Sequence, residues 1–263
     1  MTDGTGTAAI LQVEHLGRRF GGLAAIDNLS FAILPGEIRG LIGPNGAGKT
    51  TTFNVISGFY APSSGRVVFE GRDISGQRTS RVAALGLVRT FQQTTLFQEL
   101  PVLDNVLVGG HLRARRGLAA TLFGRARERE QRARAEALEV LEFFGLAGRW
   151  DELAANLPHG LQRALGMAIA LMAHPKVLLL DEPFTGMNAE ETRHMMALIR
   201  KVRARGITVL LVEHDMQAVM ELCDRITVLN FGRLLAEGAP DEIQAHPEVI
   251  EAYLGTPRDA AVH

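Results

Sequence analysis

One cysteine, Cys223, stands in 263 residues. With no second cysteine a disulfide framework within the chain is excluded, and a reducing compartment is the expected setting. Charge of one sign is also missing: 28 Lys and Arg face 29 Asp and Glu, a formal net charge of -1. That balance argues against a protein whose main task is neutralising nucleic-acid phosphates, so no nucleic-acid partner is expected, although a local basic face stays open. No apolar run approaches the roughly 20 residues that a membrane-spanning helix needs. Val177 to Leu180 and Ile207 to Val212 are short enough for buried strands. The opening residues, MTDGTGTAAILQVEH, carry an acid where a secretory leader carries positive charge, and no long apolar stretch follows. The expectation is a soluble cytoplasmic chain, unless a partner holds it at a membrane. Lysine is scarce too: only Lys49, Lys176 and Lys201 stand among the basic residues, a bias that more often follows genome base composition than chemistry. Internal repeats and low-complexity segments are absent.

What is present is a core large enough to fold without staples, as one large domain or two small lobes. Residues 10 to 40 alternate short apolar segments with turn signals: Ile10 to Val13, the Gly21-Gly22 pair, then Leu29 to Leu34 closed by Pro35-Gly36. These read as antiparallel strands and hairpins, and Gly65 to Asp73 reads as another strand with a glycine turn. From about 100 to 165 the period becomes helical, with Leu138, Leu141 and Phe144 recurring at near-helical spacing, and the stretch reads as an all-helical lobe. Beyond it, the apolar segments Val177–Leu180 and Ile207–Val212 flank a helix whose inner face is Met195, Leu198, Ile199 and Val202, ended by Gly206. Strand, helix, strand in succession implies a parallel sheet, so the fold class is α/β with a helical insertion. Residues 113 to 134 hold eight arginines against Glu128 and Glu130. They read as a solvated helical face, the sharper alternative being a surface near anionic lipid or an acidic partner.

Gly43-Pro-Asn45-Gly46-Ala-Gly48-Lys49-Thr50 follows the apolar strand ending in Leu41-Ile42 and fits G-x-x-x-x-G-K-[ST]. Successive backbone N–H groups must wrap a phosphate where a Cβ would obstruct, and the following helix aims its positive end at the same anion. Lys49 is expected to reach the β and γ phosphates of ATP, with Thr51 beside Thr50 in the same helix start and the Thr50 hydroxyl on Mg²⁺. The complementary carboxylate stands at a strand end in Leu178-Leu-Leu-Asp181-Glu182-Pro183. Asp181 is placed to bind Mg²⁺ and Glu182 to polarise an attacking water.

With these residues in order, the sequence resembles, over nearly its whole length, the nucleotide-binding subunits of ATP-binding-cassette (ABC) transporters. The resemblance implies a P-loop NTPase, RecA-like parallel-sheet core, with an N-terminal antiparallel β subdomain and an inserted α-helical subdomain. The core lobe would take about 8–93 and 166–235, the helical lobe 94–165, and the tail 236–263. Phe20, in Gly17-Arg-Arg-Phe20, stands where the family stacks an aromatic on adenine, the alternative being a core or hairpin phenylalanine. Gln92 of Arg89-Thr-Phe-Gln92-Gln93 matches the glutamine that touches Mg²⁺ and water, with Gln93 as the neighbouring choice. Thr185-Gly-Met-Asn188 matches the loop that meets the opposite subunit. His214, ahead of a helix that Asp215 can cap and whose inner face reads as Met216, Val219, Met220 and Cys223, resembles the histidine that contacts the γ-phosphate. A groove near Gln92 to Asp104 would receive a helix of the membrane protein, with the apolar residues of Thr94 to Pro101 exposed for that contact, the alternative being a packed loop.

The signature departs from the family's Leu-Ser-Gly-Gly-Gln, reading Leu157-Pro158-His159-Gly160-Leu161. Pro158 offers neither a hydroxyl nor an N–H. Two explanations stand: a drifted signature working through the Gly160 amide, the helix N-terminus and the His159 imidazole, or a degenerate face in an asymmetric heterodimer. The Arg-Thr-Phe-Gln and Thr-Gly-Met-Asn segments, Val-Glu-His-Asp-Met216 and the tail Pro247 to Gly255 look like the ATPases of branched-chain amino acid importers. Urea-import and lipopolysaccharide-export ATPases are near in pattern. The resemblance implies a homo- or heterodimer of ATPase subunits, two integral membrane permeases and, indirectly, a solute-binding protein, with the chain peripheral on the cytoplasmic face of the cell membrane. Rival readings are a soluble ATP-driven switch without transport and a regulatory subunit that has lost turnover.

Overall fold

The computed structural model describes residues 8–90, 96–110 and 126–254. The described residues fall into two compact units, one made of those up to Thr79 together with those from Arg203 onward, the other of those between Ser80 and Val202.

In the first unit, β1 (Leu11–Phe20) and β2 (Leu23–Ile33) form a hairpin in which Phe20 faces Leu23 across the Gly21-Gly22 turn. β4 (Ser64–Phe69) adds to the other edge of β1, and β5 (Arg72–Asp73) adds to β4, all antiparallel. Leu11, Val13, Ile26, Leu29, Ile33, Val67 and Phe69 are buried while their neighbours alternate outward, the pattern of a sheet with one covered face. A second sheet places β3 (Ile38–Ile42) between β8 (Thr208–Val212) and β9 (Arg225–Asn230), both parallel to it, with β10 (Arg233–Gly238) antiparallel on β9. Every residue of β3 and β8 is buried, as continuous apolar parallel strands covered on both faces require.

One charge lies inside this sheet. Arg39 is buried in β3, with Nε 2.6 Å from Glu37 and Nη1 3.1 Å from Glu237. It also donates to the Thr227 hydroxyl and the Ala32 carbonyl. Helix α1 (Lys49–Ile56) follows β3, and α7 (Met216–Leu222) follows β8. The inner face of α7 is Ala218, Val219 and Leu222, followed by Cys223; Met216 and Met220 are only half-buried. Two short helices, α8 (Pro240–Gln244) and α9 (Pro247–Leu254), end the described chain.

In the second unit, β6 (Leu87–Arg89) pairs in parallel with β7 (Val177–Asp181), Arg89 facing Leu179. The helices are α2 (Thr79–Leu85), α3 (Val102–Gly109), α4 (Ala126–Phe143), α5 (His159–Leu171) and α6 (Ala189–Ala204). Helices α3, α4 and α5 pack on one another. On α4 the buried stripe is Ala137, Val140 and Leu141, with Phe144 just beyond, while Leu138, in step with Leu141 and Phe144 in the sequence, is 37% exposed. Steps of three drift around a helix, whereas i, i+3, i+4, i+7 keep to one side. Asn105, fully buried, pins the preceding loop: Oδ1 accepts from the Phe97 amide, and Nδ2 donates to the Phe97, Leu100 and Pro101 carbonyls. Phe97 and Leu100 are left exposed while Leu96 is buried. On α6 the predicted residues Met195, Leu198, Ile199 and Val202 are all buried. Of the arginine run, 127, 129, 132 and 134 are exposed on α4; those from 113 to 125 lie outside the described residues.

Candidate functional site

The loop after β3 turns on three glycines with positive φ: Gly43 at 150°, Gly46 at 81° and Gly48 at 99°. Two of them also lack room. A Cβ on Gly43 would lie 2.2 Å from the Leu229 carbonyl oxygen, and one on Gly48 2.5 Å from that of Ala25. β9 and β2 therefore press the loop into one path that only glycine can follow. Lys49 opens α1 and folds back, its Nζ donating to the Gly43 carbonyl at 2.6 Å and the Pro44 carbonyl at 3.0 Å. Gly48 is the N-cap and no side chain caps the helix, so the first-turn amides around Thr50 and Thr51 are offered to an outside acceptor. Asn45, Gly46 and Thr50 are exposed.

Phe20 ends β1 beside the Gly21-Gly22 turn and is 40% exposed, a hairpin position outside the core. Its ring meets Tyr60 edge-on, centroids 5.3 Å apart, and the Arg18 guanidinium lies 4.5 Å from the Phe20 centroid and 5.2 Å from that of Tyr60. Arg18 is held by the Ala61 carbonyl at 2.9 Å. Ala24 pairs with Arg19, and the next carbonyl, that of Ala25, crowds Gly48. Gly48, at the start of α1, thus lies against β2, the strand paired with the one that ends in Phe20. Tyr60 and Arg18 went unnoticed in the sequence; Arg18, two residues from Phe20 on the same strand, was the available signal.

His214 follows β8 with its ring exposed. The buried carboxylate of Glu213 accepts from the His214 amide at 3.0 Å and lies 3.7 Å from His214 Nδ1. Asp215 caps α7, accepting from the Ala218 amide at 3.0 Å.

In the second unit, β7 ends on Asp181, 2% exposed, whose Oδ2 accepts from Arg89 Nη2 at 2.6 Å. Its Oδ1 is buried and has no hydrogen-bond partner among the described residues. Glu182 has φ 48°, a left-handed conformation uncommon outside glycine and one that tends to mark functional sites. Its carboxylate accepts from the Thr185 hydroxyl at 3.3 Å. The Thr185–Asn188 loop ends in a capping box: Asn188 Oδ1 accepts from the Glu190 and Glu191 amides, and Glu191 accepts from the Asn188 amide.

The signature segment starts α5. Leu157 is buried, Pro158 is the N-cap, and no side chain caps the helix. Pro158 and His159 are exposed, and Gln162 Nε2 holds the Leu157 carbonyl at 2.9 Å. A Cβ on Gly160 would come 3.1 Å from the Glu191 carboxylate, and one on Gly186 3.3 Å from the His159 ring. Pro158, His159 and Gly160 thus adjoin the Thr185–Asn188 loop. Gln92 lies outside the described residues.

Mg²⁺ was expected at Thr50, Gln92 and Asp181. Among the described residues no group of three or more His, Cys, Asp and Glu gathers to hold a metal. A single carboxylate with one unpartnered buried oxygen suits an ion that takes most of its other ligands from phosphates and water, as Mg²⁺ does. Asp181 fits such a group.

A family model described as "ABC transporter" matches residues 26–185, and one described as "Branched-chain amino acid ATP-binding cassette transporter" matches residues 233–259. The chain belongs to the ABC transporter family as an ATP-binding, ATP-hydrolysing cassette. It is 43% identical to the high-affinity branched-chain amino acid transport ATP-binding protein LivG of Escherichia coli over 94% of this chain and 98% of the relative. It is 42% identical, over the same shares, to BraF of Pseudomonas aeruginosa, a protein of the same description. Among solved structures, the ADP conformation of an ATP-binding cassette of an ABC transporter aligns with TM-score 0.85 and 32% identity, over 95% of this chain and all of that one. A nucleotide-free cassette aligns at 0.84 and 31%, with the same coverage. The P-loop cassette fold expected from the sequence is the fold found. No helix among the described residues is long and apolar enough to cross a membrane.

Proposed function

We propose that the chain is the ATP-binding subunit of an import system for branched-chain amino acids, hydrolysing MgATP with a partner cassette on the cytoplasmic face of a membrane. The observation that carries the nucleotide reading is the phosphate loop: glycines with no room for a Cβ, uncapped amides at the start of α1, and Lys49 folded onto the loop's own carbonyls. The solute follows from the relatives' names and the tail match at residues 233–259.

The amides from Gly46 to Thr51 wrap the phosphates, with Asn45 at the rim and Gly43 fixing where the loop leaves β3. Lys49 trades one of its carbonyl partners for phosphate oxygen, a charge-assisted bond that strengthens out of water. Phe20 stacks on the base. Thr50, Gln92 and Asp181 would hold the metal, which when bound would offset phosphate charge as it develops. Glu182 orients and deprotonates the attacking water, the Thr185 hydroxyl steadying its carboxylate. His214 contacts the γ-phosphate, its position set by Glu213 behind it. Pro158 contributes only shape to the signature, and the Gly160 amide, the His159 ring and the open N-terminus of α5 meet the partner's nucleotide. Closure on ATP and release after hydrolysis move two membrane permeases, which a solute-binding protein supplies.

The test is the assembled complex in vesicles with radiolabelled leucine. Glu182→Gln should keep nucleotide binding and lose turnover and uptake, and excess valine or isoleucine, but not urea, should compete with leucine. Unchanged turnover in Glu182→Gln overturns the base assignment, and uptake indifferent to valine and isoleucine overturns the solute.

A further inference from the structure

The buried pair between Arg89 and Asp181 belongs to none of the roles above. Arg89 is the last residue of β6, locked by its pairing with Leu179, and the next amide, that of Thr90, also bonds the Leu179 carbonyl. The backbone thus fixes where the guanidinium can reach. Side-chain exposure is 10% for Arg89 and 1% for Asp181, and the N–O distance is 2.6 Å. Both residues line a cavity of about 200 Å³ shared with Thr90, Arg163, Met167 and Pro183.

The two carboxylate oxygens are used unequally. Oδ2 takes the guanidinium, while Oδ1 is buried with no partner among the described residues. A buried polar oxygen left bare is costly, and such an atom is ordinarily satisfied by an ion or a water. A carboxylate with one oxygen tied is no longer free to rotate about its terminal torsion, so the other oxygen is presented in one direction. Ligating carboxylates are in turn hydrogen-bonded, and those outer partners tune metal affinity.

We infer that Arg89 is a positioning residue for the metal ligand Asp181: by holding Oδ2 it fixes the carboxylate and keeps Oδ1 for the Mg²⁺ that accompanies the nucleotide. The inference rests on the proposed MgATP function and adds to it a residue outside the phosphate loop, the Asp-Glu pair and the signature. The opposite role would have the guanidinium occupy the carboxylate and compete with the metal. The division of oxygens speaks against it, because Arg89 leaves Oδ1 unengaged.

The two roles predict opposite results. The affinity of the full chain for a fluorescent ATP analogue is measured in excess Mg²⁺ and again in EDTA, and the ratio gives the gain due to the metal. In Arg89→Met that ratio should fall by about 10–100-fold, while affinity in EDTA stays near that of the unsubstituted chain. Arg89→Lys keeps the charge but not the planar fork, and should lie between. A ratio that rises shows competition and overturns the inference, as does a ratio that does not change. Equal losses in Mg²⁺ and in EDTA show a general structural effect and overturn it too. If Arg89→Met does not fold, Arg89→Lys alone carries the test. An unsubstituted chain that binds no nucleotide under either condition refutes the proposed function instead.

Discussion

Gly48→Ala is the sharpest perturbation of the phosphate loop that leaves its lysine in place. The added Cβ would lie 2.5 Å from the Ala25 carbonyl oxygen, where ordinary van der Waals contact begins near 3.4 Å, and the backbone would be held at φ 99°. A left-handed backbone costs a non-glycine residue about 1–2 kcal/mol, and forced overpacking typically adds about 1–3 kcal/mol. Their sum, about 3 kcal/mol, corresponds to a fall of roughly 6–12 °C in melting temperature for a chain of this size. Gly46 is the internal control: its φ is 81° but nothing lies within 4 Å of its Cβ position, so Gly46→Ala carries only the backbone cost, about 1–2 kcal/mol. Calorimetric melting without nucleotide separates the two variants. Equal melting temperatures for Gly46→Ala and Gly48→Ala would refute the claim that contact with β2 confines the loop.

Three further outcomes follow from the same geometry. Arg39→Met strands the buried Glu37 carboxylate and should cost about 3–5 kcal/mol in denaturant unfolding, much of it recovered by adding Glu37→Gln; no recovery would mean that the pair is not the source. Replacing Pro158 by Ser together with His159 by Gly restores a hydroxyl and an N–H at the start of α5, and should raise ATPase activity of the assembled complex; an unchanged rate would show a surface tuned as it stands. Burial, aided by Asp224, pushes the Cys223 thiol up to about 12, so it should resist maleimide at pH 8 until the chain is unfolded. The unfolded chain releases that proton from about pH 8.5 upward while the folded one keeps it, so this group's contribution to stability falls between there and 12. Rapid labelling of native protein would contradict the burial.

The phosphate loop, the Asp-Glu strand end and the hairpins were legible because each is local: a glycine run after an apolar strand, acids at a strand terminus, Gly-Gly between alternating segments. What was illegible is what distant chain segments make together. Arg89 and Asp181 are 92 residues apart, and Arg39 draws on Glu237 nearly 200 residues away. In a single sequence such arginines are indistinguishable from surface charge. Tyr60 beside Phe20 was hidden for the same reason, its place depending on how the chain returns from α1. Glu213 was overlooked although it adjoins His214, because a carboxylate just beyond an apolar strand reads as solvated, and here it is buried. On α4 spacing alone does not say which side faces inward: the small Ala137 takes the core while the larger Leu138 beside it is left partly exposed.

The central claim is that a nucleoside triphosphate lies against the amides around Lys49. Its most direct test is calorimetric titration of MgATP into the purified chain and into Lys49→Ala. Loss of a charge-assisted bond is worth about 1.5–3 kcal/mol, so the account predicts measurable heat for the unsubstituted chain and affinity weakened by at least about tenfold in the variant. No heat with the unsubstituted chain, or equal affinity in the two, would contradict it.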